Sequence, residues 1–430
     1  MRLNNKLVRL GSNQTQIIGL ASALVLGVIG GAKPAFGLGL ALPDQDAFAT
    51  ARGNAFIATA NDPSAIFYNP AGITQLGGFN ISTGVYGIVD GDRYSGPNGG
   101  VNSKTIWSAI PQFYSTYSLS NYNLTFGLGA FAPYGLRMEW PDKAPFVSAG
   151  ETGDMEYFRG SAIVAWQITP ELSVAAGPSF NYSQVDLKEI ETFDIPFARP
   201  GPDNPDTVNF VNHYRGSATD VGYTAGILYH PSEHHYFGLT YRSATEMNYN
   251  GHATDLSAGY PFRANVAASA DFHFPATLGG GYSYRPNDKW NFEADVNWTD
   301  WSSLKTVPLV SSSPGVRAED TLNFDWSPSW MVDAGVTRYL RNNWRVSGGY
   351  IYSENSVPDR NFNPLIPDSD RHIFSIGVGK QCGRFSWDAA YQLAWAPSRT
   401  VGGDVTAGGT AGGKYEFLSH ALTINFGYRF

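Results

Sequence analysis

The sequence predicts an all-β fold: a 14-stranded antiparallel transmembrane β-barrel over residues 79-430, behind an N-terminal segment that reads as neither strand nor membrane helix. Three observations predict it. The first is alternation: in Trp290 to Thr299, WNFEADVNWT, the positions Trp290, Phe292, Ala294, Val296 and Trp298 share one face, and Asn291, Glu293, Asp295, Asn297 and Thr299 share the other. A strict period of two gives a strand one apolar and one polar face, and carboxylates at the middle of the polar face favour a solvated lumen over a dry core. The second is the rhythm of connections, in which short turns alternate with long irregular stretches, as in outer-membrane barrels. The third is composition. Only 15% of the 430 residues are charged, while aromatics reach 14% with 24 Tyr and 11 Trp, and Gly supplies 48. Soluble domains carry roughly 25% charged residues, and aromatic girdles suit a barrel wall. A secreted β-rich protein shares this composition, so alternation and connections carry the assignment.

In chain order, 1-37 has the form of an export signal. Arg2, Lys6 and Arg9 make a basic start, Ile17 to Ile29 an apolar run, and Ala35-Phe36-Gly37 a small-residue cleavage site. The alternative is an uncleaved anchor helix. Residues 38-78 follow, with the stretch Arg52 to Leu76 at their centre. Asp62-Pro63 and Asn69-Pro70 pair a side-chain acceptor with a residue that starts a helical turn without needing its N–H. Ala65, Ile66, Phe67 and Tyr68 make a short apolar turn that must bury, and the small neighbours Ala51, Gly53, Ala55, Ala58 and Ala60 suit a confined space.

Strands are expected at 79-89, 105-119, 124-132, 154-168, 172-189, 214-230, 234-248, 264-284, 290-303, 321-340, 344-353, 370-380, 385-396 and 417-430. The short turns, from Ser120-Asn123 to Gln381-Arg384, hold Asn, Asp, Pro or Gly as tight hairpins require. Pro275 interrupts the eighth strand and predicts a kink there. Gly127, Gly129 and Pro133 mark the third strand for a bend, or for simple close packing. The last strand turns Ile424, Phe426, Tyr428 and the terminal Phe430 outward. The net charge of -8 argues against nucleic acid as a partner, and the single Cys382 forms no internal disulfide.

The stretch GNAFIATANDPSAIFYNPAGIT resembles the N-terminal signature of the bacterial outer-membrane family that transports long-chain fatty acids and aromatic hydrocarbons. AFAPYGLRMEW (Ala130 to Trp140), DVNWTDWSSLK (Asp295 to Lys305), the run from Asp325 to Arg360 and IPDSDRHIFSIGVG (Ile366 to Gly379) resemble its later segments in the same order. The resemblance implies that 38-78 is a hatch inside the lumen, gated through Phe67, Tyr68, Asn69, Pro70 and Ala71, and that Gly127, Gly129 and Pro133 lie at a kink where solute leaves sideways. It implies a monomer among outer-membrane lipids and lipopolysaccharide, with detergent as an occupant in vitro.

For the solute, the apolar residues beyond the third strand (Phe131, Tyr134, Leu136, Met138, Trp140 and Phe146) are candidates to hold an acyl chain. Arg137, Lys143, Arg159 and Lys188 are candidates to meet its carboxylate. An aromatic interface belt, and ion pairs with lumen acids, are the plainer readings of the same residues. No metal-ligand spacing, nucleophile motif or phosphate loop is present, so neither an enzyme nor a cofactor is expected. Uptake of long-chain fatty acids, uptake of neutral hydrocarbons and a structural or adhesion barrel remain as the functional readings.

Overall fold

The computed structural model describes residues 39–97, 99–146, 150–194, 207–257, 263–311, 321–402 and 411–430; the expected signal at 1-37 lies outside them. Fourteen staves build the wall. The first eight are β1 (Phe79–Gly96), which folds back on the short β2 (Gly99–Asn102), β3 (Ile106–Leu119), β4 (Leu124–Phe131) continued by β5 (Gly135–Glu139), β6 (Thr152–Gln167), β7 (Leu172–Asp194), β8 (Thr207–Tyr229), β9 (His235–Arg242) continued by β10 (Thr245–Ser257), and β11 (Arg263–Phe274) continued by β12 (Thr277–Asn287). The ninth is β13 (Trp290–Thr299). The short β14 (Thr306–Pro308), β15 (Val310–Ser311) and β16 (Thr321–Asn323) come next. The last five staves are β17 (Ser329–Tyr339), β18 (Trp344–Ser353), β19 (Arg371–Cys382), β20 (Phe385–Val401) and β21 (Gly413–Arg429). β1 pairs with β21 from Asn80↔Arg429 to Ser95↔Lys414, which closes the ring.

The alternation read from β13 is the alternation of the wall. Asn291, Glu293 and Asp295 are buried on the inside, while Phe292 and Val296 are exposed on the outside. Trp107, Leu128, Val221, Ile376 and Leu422 belong to the same exposed apolar exterior. Exposed apolar side chains around a closed ring are stable only against lipid. Tight turns use left-handed backbone where expected, at Asn123 and Asn342. The stave break at Pro275 is present: β11 stops at Phe274 and β12 resumes at Thr277.

Several boundaries differ from expectation. β1 runs on to Gly96, β8 starts back at Thr207 and β10 runs on to Ser257, beyond the expected 79-89, 214-230 and 234-248. The tenth strand begins at Ser329, not at 321; Thr321–Asn323 instead pairs with β14 in a separate two-stranded sheet. Asp325, with φ of 43°, and Pro328 divide the two. The ninth strand ends at Thr299, not at 303, because Trp301–Ser303 forms a 3-10 turn. The expected loop 133-153 contains β5, so the third stave is broken and then resumes. The seventh stave breaks at Ser243, whose N–H donates to Tyr223 O at 3.0 Å and whose hydroxyl accepts from Tyr223 N at 2.9 Å.

Inside the ring lies the segment 40–76. It forms α1 (Ala47–Ala51), α2 (Ala65–Tyr68) and a 3-10 turn at Pro70–Gln75. Asp46 caps α1 by accepting from Phe48 N and Ala49 N, and Asn69 caps the 3-10 turn by accepting from Ala71 N, with Pro70 as its first residue. Asp62 caps no helix; its carboxylate accepts from the Ser64 N–H and hydroxyl. Small residues let the backbone come close: a side chain on Gly53 would lie 2.7 Å from Tyr350 N, at a φ of +63°. Phe48, Phe56, Ile66, Phe67, Tyr68 and Ile73 pack with Tyr114, Phe131, Ile163 and Leu228 of the wall as one apolar cluster.

Candidate functional site

The lumen segment is tied to the wall mainly by two carboxylates on one face of β13. Asp295 accepts from Phe56 N at 2.7 Å and Ile57 N at 2.8 Å, and Glu293 accepts from Ala58 N at 2.8 Å and Thr59 N at 3.0 Å. Arg52, fully buried, completes this seat by pairing with Glu293 at 3.0 Å. Asn69 Nδ2 donates to Ile57 O at 2.9 Å, within the segment, and to Ile227 O of β8, three staves from β13, at 3.0 Å. Asn69 and Pro70 fit against Gly226, where an added Cβ would stand 2.3 Å from Asn69 Oδ1. Ala71 is buried beside them, and the Tyr68 hydroxyl accepts from Gln45 N and donates to Pro43 O. Burial foremost, then the charges of Asp62 and Asp388, hold the Asp46 carboxyl well above its usual 3.8.

The third stave is where the wall is incomplete. β4 pairs with β3 only from Phe113↔Ala130 to Leu119↔Leu124. Above that, Ile106 to Gln112 of β3 pairs with β1, and among the described residues its other edge has no ladder to β5. The two sides meet again at Lys104, whose N–H donates to Glu139 O at 2.8 Å and whose ammonium pairs with the Glu139 carboxylate. Between these points the stave turns inward. Its backbone groups find partners in the lumen segment: Leu42 N donates to Pro133 O at 2.8 Å, Gly135 N to Leu40 O at 3.0 Å, and Gln45 Nε2 to Ala132 O at 2.8 Å. Leu42 fills the gap from inside, packed with Tyr86, Ile88, Ile110 and Ala132. Gly127 and Gly129 lie just below on the inner face, where an added Cβ would come within 2.9 and 2.8 Å of Ile66.

Above the lumen segment a cavity of about 180 Å³ opens among the long loops. Its wall is mostly apolar, with Leu136, Met155, Tyr214, Tyr249, Phe272 and Phe324 around it, and Lys188, Asn212 and His213 form a polar edge. Lys188 pairs with Glu151 at 2.6 Å and His213 with Asp186 at 2.6 Å. Of the ten residues singled out for ligand contact, Leu136 and Lys188 line this cavity. Tyr134, Met138, Trp140 and Phe146 are buried in the packing around it, with Trp140 Nε1 donating to Pro364 O at 2.9 Å, whereas Phe131 packs with Phe67 and Tyr114 in the cluster of the lumen segment. Arg137 lies 3.9 Å from Asp154, Lys143 is exposed, and Arg159 is buried with its Nε donating to Asn181 at 2.7 Å. Met155, Tyr214, Tyr249 and Phe272 escaped sequence reading. Each is an inward position of an alternating strand, but alternation does not say which inward positions meet a void.

The comparisons with known proteins follow the same architecture. Residues 29–430 match the family described as Outer membrane protein transport protein (OMPP1/FadL/TodX). The chain belongs to this family. It is therefore an outer-membrane β-barrel of the transport class. Among curated relatives, the long-chain fatty acid transport protein of Salmonella typhi is 24% identical over 350 residues, covering 75% of this chain and 78% of that protein. Among solved structures, a FadL homologue from Pseudomonas aeruginosa superposes with a TM-score of 0.78 at 18% identity, over 91% of this chain and 100% of that one. The toluene transporter TbuX of Ralstonia pickettii gives 0.68 at 18% identity, over 92% and 98%. In this OMPP1/FadL/TodX member, cavity and wall gap lie on the same side of the barrel, since Leu136 of β5 borders both.

Proposed function

We propose that the protein takes up long-chain fatty acids or related apolar molecules by passive diffusion, from the outer cavity to the gap at the third stave and sideways into the membrane. The observation that carries this reading is the pairing of a blocked axis with an unpaired wall. The segment 40–76 fills the lumen with buried side chains, so a solute has no straight polar path. The edge of β3 from Ile106 to Gln112 is a place where the wall parts without breaking ladder hydrogen bonds to β5. An apolar solute gains from leaving a pocket directly for lipid, whereas a water-filled tube offers it nothing. In this reading Asn69, Pro70 and Ala71 shape a hatch, Phe67 and Tyr68 are its moving apolar face, and Gly127, Gly129 and Pro133 border the exit.

The relatives' names support both an acid and a hydrocarbon as cargo, one being a fatty acid transporter and another a toluene transporter. The test is uptake of labelled oleate, hexadecane and toluene by cells expressing the protein, against cells carrying an empty vector. Enhanced uptake of at least one is expected. Equal rates with and without the protein for all three would overturn the transport assignment.

A further inference from the structure

The outward face of the fourth to seventh staves changes chemistry toward the end of the barrel that carries the long loops. On β7 the outward positions run Phe180, Tyr182, Gln184 and Asp186, and beside them on β8 run Val221, Thr219, Ser217 and Arg215. Phe180 and Val221 are cross-strand partners, 55% and 66% exposed, and belong to the apolar band that faces lipid. Two outward positions higher, Gln184 faces Ser217 and the apolar side chains have ended. From Phe180 to Gln184 is about 13 Å of strand, enough to pass from acyl chains to the polar surface of the outer leaflet.

At that level one row crosses four staves. Glu156 of β6 is opposite Gln184, Gln184 opposite Ser217, and Ser217 opposite Asn250 of β10. These residues line a groove of about 420 Å³ on the outside of the wall, with the ring of Tyr182 beside them. Gln184 Nε2 donates to Glu156 Oε2 at 2.5 Å and Asn250 Nδ2 to Asn248 O at 3.0 Å, so both amides are held in one orientation. The charges around the groove are mostly negative. Asp154, Glu156 and Asp186 face it against Arg215, whose Nε is already committed to Asp186 at 2.7 Å. Such a rim repels a phosphate or a carboxylate, and a bare hydrocarbon gains little from so polar a surface. A neutral molecule with many hydroxyls fits it. Each hydroxyl donates to a carboxylate or amide oxygen and accepts from an amide N–H, and the apolar face of a sugar ring lies on tyrosine.

We propose that this groove binds neutral core sugars of lipopolysaccharide and holds one such molecule against the outer wall of the fourth to seventh staves. The acyl chains of the same molecule lie along Phe180 and Val221 below, which gives it a second hold that a free sugar lacks. The surface is separate from the cavity and the lumen segment, and it stands or falls independently of the uptake reading.

The experiment measures binding to the detergent-solubilised protein in the presence of EDTA. The probes are labelled lipopolysaccharide with a complete core, lipopolysaccharide truncated to lipid A and its acidic inner sugars, and core oligosaccharide cleaved from lipid A as a competitor. The proteins are the wild type, Gln184→Ala and Ser217→Trp, each checked for assembly by heat-modifiable migration of the folded barrel. The wild type is expected to bind the complete form at least tenfold more tightly than the truncated one, and the cleaved oligosaccharide to compete. Gln184→Ala, which removes a donor and an acceptor, is expected to weaken binding of the complete form by about tenfold. Ser217→Trp fills the groove and abolishes the preference for the complete form, leaving the truncated form bound as before. Equal affinity for the two forms, or a preference untouched in both variants, overturns the site. Binding that vanishes in EDTA also overturns it, since phosphates bridged by divalent cations would then be the ligand. Should one variant fail to assemble, the other and the comparison of the two forms on the wild type still decide.

Discussion

Asp46 shows what a single buried charge contributes. It is a helix cap and a carboxylate at once, surrounded by Asp62 and Asp388 with Arg345 as the nearby cation. A carboxyl raised above its unfolded value stabilises the folded state fully below 3.8, and this contribution is lost as the pH rises through the raised value. At neutral pH, therefore, the ionised form weighs against the fold. Asp46→Asn keeps an oxygen for Phe48 N and Ala49 N without the charge, and Asn caps helices as well as Asp. The variant is expected to be more stable than the wild type at pH 7. The advantage shrinks as the medium is acidified toward pH 4. Urea unfolding in detergent micelles at several pH values measures it; an advantage independent of pH would show that the charge is not its source. The cap position carries little signal in the sequence, where Asp62-Pro63 and Asn69-Pro70 stand out because proline follows them. Asp46 precedes a run of Ala and Phe with no proline to mark it.

Among elements, the third stave and the lumen segment are fitted to one another. Gly127 and Gly129 are legible in the sequence as places where a strand bends, yet their closest neighbour is Ile66 of α2. Nothing in the local pattern says that an apolar turn sixty residues earlier lies against them. Gly129→Ala drives a methyl to within 2.8 Å of Ile66 Cγ2 and 3.1 Å of Tyr114. Overpacking of this kind costs about 1–3 kcal/mol. Adding Ile66→Ala frees the space, so the double variant is expected to be more stable than the sum of the two single changes requires. A double-mutant cycle on unfolding free energies decides the point, and strict additivity would mean that the two side chains do not meet. β13 is the contrasting case. Its alternation alone assigns Glu293 and Asp295 to the lumen, because a strand's period fixes the face. Their partners, four backbone N–H groups from Phe56 to Thr59, carry no sequence signal at all.

At the scale of the molecule, the wall and its filling are separable. The ring closes through ladder hydrogen bonds between consecutive staves and from β21 to β1, none of which passes through the lumen segment. Deleting Phe67 to Ile73 is therefore expected to leave an assembled barrel that conducts ions in planar bilayers more than the wild type does. Absence of assembled protein from the outer membrane would show that the wall depends on its filling. The number of staves, their faces and the break at Pro275 are legible in the sequence because each follows from a local rule of period, turn chemistry or proline. The cavity is not, since its lining is gathered from staves far apart in the chain.

The inward turn of the third stave has one further consequence. Its three backbone groups at Ala132, Pro133 and Gly135 are satisfied by Gln45, Leu42 and Leu40 rather than by a neighbouring stave. Lipid offers no hydrogen bonds, so whenever that strap lifts away the groups it leaves are bare, and each is costly until re-covered. If uptake runs through the wall gap as proposed, the aperture would carry its own spring: it would open only for as long as a solute holds residues 40–45 aside and would shut behind it, so that a cell would keep a hole in its outer wall without keeping a leak.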